Sequence, residues 1–221
     1  MFTEPALLLG SLTTIDMRIL LLPTLLLFLL ASGCDSDPAS VDEIPEPELM
    51  LVEDLPADPF VAFVEGRPVG TGRFTFFSLR ENRIVPAADS ASTEWDLALQ
   101  GSLLLTNGGT SGPGNGGAQV YEGIFEEVTE APASGYAVDA EGTPAITPGS
   151  GNGWYNYDFA TNLLTPIPGR VLLIRTADGK YVKLRILSYY KGAPATPDAD
   201  SEGRYFTFEY LYQPDGSRTF E

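Results

Sequence analysis

An all-β, single antiparallel domain is the fold class this sequence predicts, and three observations carry the prediction. Residues 170–176 (R-V-L-L-I-R-T) and 181–190 (Y-V-K-L-R-I-L-S-Y-Y) are strand-like arms joined through Asp178-Gly179, a turn dipeptide favoured in tight hairpins. In the second arm Val182, Leu184 and Ile186 alternate with Lys183 and Arg185, which predicts one buried face and one wet face. No helical period persists beyond two turns, while glycine and proline punctuate residues 108–168.

The other elements follow in chain order. Residues 73–79 (R-F-T-F-F-S-L) and 95–99 (W-D-L-A-L) are short, aromatic or apolar, and bounded by polar or breaker residues, as strands are. Residues 102–106 and 118–125 read as two more strands, one on each side of a glycine-rich connection. Residues 204–212 (R-Y-F-T-F-E-Y-L-Y) place Phe206, Phe208, Tyr210 and Tyr212 on one side, and Pro214-Asp215-Gly216 then turns the chain.

Ahead of this domain the chain reads as an export signal. Arg18 precedes an apolar run, residues 19–30, of roughly a dozen residues, too short for the ~20 that a membrane-spanning helix needs. Ala31-Ser32-Gly33-Cys34 resembles a bacterial lipobox, a signal in which the cysteine is acylated and becomes the mature N-terminus. Residues 1–16 carry Glu4 and Asp16 where positive charge is expected, so translation is expected to start at Met17, with residues 17–33 as signal peptide. Residues 34–59 are expected to be the lipidated cysteine and a disordered acidic tether: residues 35–59 hold nine acids, five prolines and no Lys or Arg. Such a tether repels an anionic surface, so anchoring falls to the lipid on Cys34. The domain is expected over residues 60–221, at the cell envelope, outer membrane or cell surface.

Composition removes several function classes. Residues 60–221 carry 19 acids against 12 bases, without the basic patch that nucleic acid demands. The chain has no histidine, Cys34 is its one cysteine, and Met50 is the only methionine beyond the signal. Ser-His-Asp and Cys-His nucleophile systems are therefore excluded. So are Cys/His zinc sites, and haem iron held by His, Met or Cys. Paired carboxylates could still serve a hydrolase. Glu126 and Glu127, however, would point to opposite faces of a strand. The chain is read as a binding protein and not an enzyme.

Two strings imitate ligand motifs. In T-N-G-G-T-S-G-P-G-N-G-G-A (residues 106–118), Gly112, Gly114 and Gly117 match G-x-G-x-x-G. A dinucleotide fingerprint needs a strand before it and a helix after it, and no Lys or Arg lies between Arg83 and Arg170. Positive φ and close packing in a long connection are the expected roles of these glycines. Asp198, Asp200 and Glu202 sit at calcium-loop spacing, with Glu209 in the twelfth position. A strand from residue 204 onward would carry Glu209 away, which favours a solvated turn over a weak Ca2+ site.

Together W-D-L-A (95–98), the glycine string, W-Y-N-Y (154–157), residues 171–190 and Y-F-T-F-E-Y-L-Y-Q (205–213) resemble the HmuY family of bacterial lipoproteins. The resemblance runs in order through most of residues 60–221. It implies an all-β domain that binds haem for iron acquisition and hands it to an outer-membrane receptor. The family's histidine or methionine ligands have no counterpart here. The candidates left near the glycine-rich centre are Tyr121, Tyr136, Tyr155 and Tyr157 as iron ligands and Trp154 as a stacking partner for the ring. A family member that has exchanged haem for another ligand or a protein partner is the rival. An exposed apolar patch or an open edge strand would mark that rival.

Overall fold

The computed structural model describes residues 46–65 and 67–220. The expected signal peptide, Cys34 and the first part of the expected tether lie outside the described residues. Among the described residues, five antiparallel strands form one sheet. They run in the order β1 (Leu49–Pro56), β13 (Gly203–Gln213), β12 (Tyr181–Tyr190), β11 (Arg170–Arg175) and β8 (Gly117–Glu122). Four more form a second sheet in the order β5 (Arg83–Val85), β4 (Thr75–Ser78), β6 (Leu97–Gln100) and β7 (Leu103–Thr106). Two hairpins complete the set, β2 (Ala62–Val64) with β3 (Arg67–Val69), and β9 (Tyr155–Asp158) with β10 (Leu163–Pro166).

The main core lies where the two sheets meet. Phe77, Leu97, Leu99 and Leu104 from the smaller sheet share one buried cluster with Leu172, Ile174, Val182, Leu184, Phe206, Phe208 and Tyr210 from the larger. Phe77 and Phe208 join them edge to face at 5.8 Å. The alternation along β12 and β13 is what aims these side chains inward.

Three sequence expectations change. Residues 49–56, assigned above to the tether, form β1, which pairs with β13 and buries Val52 and Leu55 in the core. A bulge between Val52 and Leu55 lets two acids pass on the way, with Asp54 at φ 52°. The face of β12 expected to be wet is covered at Lys183. That ammonium donates to the carbonyls of Phe125 (3.1 Å) and Val128 (2.9 Å) and lies 4.7 Å from the Phe125 ring centre. Phe125, Val128, Ala131 and Phe220 pack there with Val171 and Leu173 as a second cluster. Finally, Glu126 and Glu127 fall in a 3-10 turn, Phe125–Glu127, and not in a strand.

Candidate functional site

The glycine-rich connection closes on itself around Asn107. This side chain is fully buried and donates from Nδ2 to the carbonyls of Ser92 (2.9 Å) and Trp95 (2.8 Å). Its Oδ1 accepts from the Gly114 amide at 3.0 Å, and its carbonyl accepts from the Gly116 amide at 2.7 Å. A Cβ on Gly112 would lie 2.1 Å from Asn107 Oδ1, and one on Gly116 would lie 2.5 Å from the Asn107 carbonyl oxygen. Close packing is thus why glycine is needed here, with Gly109 alone at positive φ (59°) in the string. Asp139 completes the knot, its carboxylate accepting from the amides of Thr106 (2.9 Å) and Ala145 (2.6 Å). An open cleft of about 500 Å³ lies outside the loop, lined by Phe76, Ser90, Ala91 and residues 109–113.

The five aromatic candidates separate by environment. Trp154 is buried, with Tyr155, Tyr189 and Phe206 at ring distances of 4.8, 5.7 and 5.0 Å, and its Nε1 donates to the Ser102 carbonyl. It is a core residue, so its ring has no free face to stack on a ligand. Tyr155 is buried beside it, with its hydroxyl accepting from the Gly149 amide at 3.2 Å. Tyr136 is half-buried under Arg175, against Tyr181, on the far side of the large sheet. Burial pushes its phenol up to about 12, and its buried oxygen has no hydrogen-bond partner. Tyr121 is exposed on the edge strand β8, its ring folded over Gly123.

Tyr157 differs from the rest. It is half-buried on β9 and donates to Asn162 Oδ1 at 2.7 Å across the hairpin. Its ring meets Phe159 edge to face at 4.9 Å. Phe159, at the hairpin tip, is 83% exposed, the largest exposure among the large apolar side chains of the described residues. The tip is braced from within. Asp158 accepts from the Ala160 amide (2.8 Å) and the Thr161 hydroxyl (2.9 Å), and these bonds hold its carboxyl below the usual range. Asn162 takes φ 60° and donates its amide to the Asp158 carbonyl. Nothing in composition flagged Phe159; the only signal was a lone aromatic inside a polar D-F-A-T-N turn.

The calcium spacing does not assemble. Asp198 Oδ1 accepts from the Asp200 amide (3.1 Å) and the Ser201 hydroxyl (2.9 Å), which makes it a turn cap. Glu202 pairs with Lys191 at 3.2 Å, and Glu209 pairs with Arg185 on the sheet. Among the described residues no group of three His, Cys, Asp or Glu is placed to hold a metal ion.

A second open cleft, of about 450 Å³, lies at the ends of β1 and β3 and beside the β6–β7 turn. Asp58 sits in it with its carboxylate ringed by donors: the Thr71 amide (2.6 Å) and hydroxyl (2.7 Å), the Gly72 amide (2.9 Å) and Arg204 Nη1 (3.5 Å). Burial raises this carboxyl, but the hydrogen bonds and the guanidinium outweigh it and hold the group below its ordinary value. Neither this cleft nor the one outside the glycine loop is lined by any of the four candidate tyrosines or Trp154.

Solved structures similar to this chain include a candidate HmuY-like haem-binding protein of Bacteroides vulgatus, at 14% identity over 76% of this chain and 92% of that one, with TM-score 0.46. A candidate lipoprotein of Bacteroides fragilis matches at 17% identity over 78% and 92%, with TM-score 0.45. The apo form of an HmuY analogue of Tannerella forsythia matches at 15% identity over 78% and 100%, with TM-score 0.49. No curated protein matches the chain. A sequence model described as HmuY protein matches residues 71–210, from the connection between β3 and β4 into β13. On that match, which spans most of the described domain, the chain belongs to the HmuY family.

Proposed function

We propose that the protein is an exported, lipid-anchored haem-capture protein that holds iron through the Tyr157 phenol. Membership of a family of binding proteins that includes haem binders supplies the ligand class. The observation that carries the reading is the β9–β10 tip, where a phenol, an amide and an exposed aromatic face converge in Tyr157, Asn162 and Phe159. A porphyrin needs a flat apolar surface and an axial donor, and tyrosinate is an accepted iron ligand. Phe159 offers the surface. Asn162 has both an acceptor and a donor in its amide, so it can hold the phenol or, after rotation, the phenolate. The anchor in this reading is the lipid on Cys34. Acidic charge, −17 for the whole chain, keeps the domain soluble and off anionic lipid, and an outer-membrane receptor takes the haem onward.

Substitution tests the assignment. Tyr157→Phe should remove the tyrosinate-to-iron charge-transfer band of the haemin complex and weaken binding at least tenfold, while Tyr121→Phe should change neither. Haemin bound by Tyr157→Phe with the wild-type spectrum and affinity would overturn it.

A second reading has its own observation. Leu49 and Leu51 are 53% and 52% exposed on β1, an edge strand of the large sheet, and Met50 between them packs toward the core. An apolar edge of this kind suits strand addition by a protein partner. On this reading the family fold serves a cargo other than haem, and the missing histidines follow.

A further inference from the structure

We propose that the cleft between the ends of β1 and β3 and the β6–β7 turn is a separate binding site for the carboxylate of a small organic acid with a short apolar body. This goes beyond the haem reading and does not depend on it, since Tyr157 and Phe159 do not line the cleft.

Its walls are rich in donors. Arg204, Gln100 and Ser102 line it with side-chain donors, whereas the amides of Gly72 and Gly101 in the same wall already donate to Asp58 and to the Ala57 carbonyl. The one acid, Asp58, already accepts four hydrogen bonds from the protein, so it offers an incoming ligand little acceptor capacity. Arg204 is held in place: Nη1 donates to the Asp58 carbonyl at 2.9 Å, and the guanidinium lies 4.3 Å from the Phe60 ring centre. It also lies against the Tyr189 phenol, which burial raises and the guanidinium partly lowers. A side chain at Gly101 would come within 3.7–3.9 Å of Nε, Cζ and Nη2, so glycine there leaves the guanidinium open to the cleft. A planar fork fixed before the ligand arrives is the arrangement that reads carboxylates. Val69 and Leu103 supply an apolar wall for the body of the acid.

Backbone strain points to the same place. Asp58 and Arg204 both take left-handed conformations, at φ 57° and 67°. Such a conformation is costly for a residue with a side chain, and strain of this kind collects at ligand clamps. The two strained residues face each other across an ion pair of 3.5 Å in the cleft.

The test is an amide-resolved NMR titration of the full chain with pentanoate, with pentanamide as the uncharged control. Pentanoate should move the amide signals of residues 70–72 and 100–103 saturably, and pentanamide should not. Arg204→Lys keeps the charge but loses the fork and should weaken pentanoate binding at least tenfold. Gln100→Leu makes no contact with Asp58 among the bonds described above; it should fold normally, weaken binding at least threefold, and serve in case Arg204→Lys is unfolded. No saturable shift, equal shifts with pentanamide, shifts confined to residues 157–162, or wild-type binding by Gln100→Leu would each overturn the proposal.

Discussion

Asn107 shows how one side chain can account for a glycine motif. Its Nδ2 anchors it by donating to the carbonyls of Ser92 and Trp95, its Oδ1 and backbone carbonyl accept from the Gly114 and Gly116 amides, and the glycines are there because the chain passes so close. Asn107→Ala strips the side-chain bonds from buried backbone partners and should cost roughly 2–4 kcal/mol in urea unfolding. Unchanged stability would contradict this account of the loop. Asp58 gives a pH-dependent case. Its carboxyl is held below its ordinary value, so it stabilises the folded chain fully above about pH 4. That contribution is lost as the pH falls through the depressed folded value. Asp58→Asn suits the left-handed backbone at this position. It should be less stable than wild type at pH 7, with the gap closing toward pH 2; a gap that stays constant with pH would refute the assignment. Little of this was legible in sequence. The spacing of Gly112, Gly114 and Gly117 announces only that the backbone comes close to something, and a distant asparagine cannot be told from a phosphate by spacing alone.

At the scale of elements, legibility followed periodicity. β12 and β13, ten and eleven residues long, alternate through Val182–Ile186 and Phe206–Tyr212 and were readable, as was the turn at Asp178-Gly179, where glycine takes φ 85°. β1 was not, because five prolines and nine acids around it carry the signature of a solvated tether. What overrides composition there is pairing with β13 and the burial of Val52 and Leu55, which a local reading cannot see. Starting the chain at Phe60 should therefore lose about 3–5 kcal/mol from those two side chains alone, measured by thermal or urea unfolding against a chain beginning at Asp42. Equal stability would return β1 to the tether. The wet face expected for β12 failed for a similar reason, since the segment that covers Lys183 lies more than 50 residues away. Lys183→Met removes both carbonyl contacts and should raise hydrogen exchange across residues 124–131 while leaving β6 and β7 protected.

At the scale of the molecule, the sheets of the described residues are a scaffold that leaves outward two open clefts, the β9–β10 tip and the apolar β1 edge. The family was legible from an ordered set of short strings, none specific by itself. The proposed site was legible only as a group of aromatics, because burial decides which of them can meet a ligand. Trp154 and Tyr155 belong to the core, whereas Tyr157 is half-buried, with its phenol bonded to Asn162 and its ring beside Phe159. No histidine is present to hold iron in this chain, and Met50, the one methionine among the described residues, packs against the core. The most direct test is a haemin titration of the protein followed in the Soret region. The account predicts a shifted band that saturates at one haem per chain, with the charge-transfer absorbance of ferric tyrosinate. A spectrum equal to the sum of free haemin and protein at every ratio would contradict it, and would leave the family fold with a cargo other than haem.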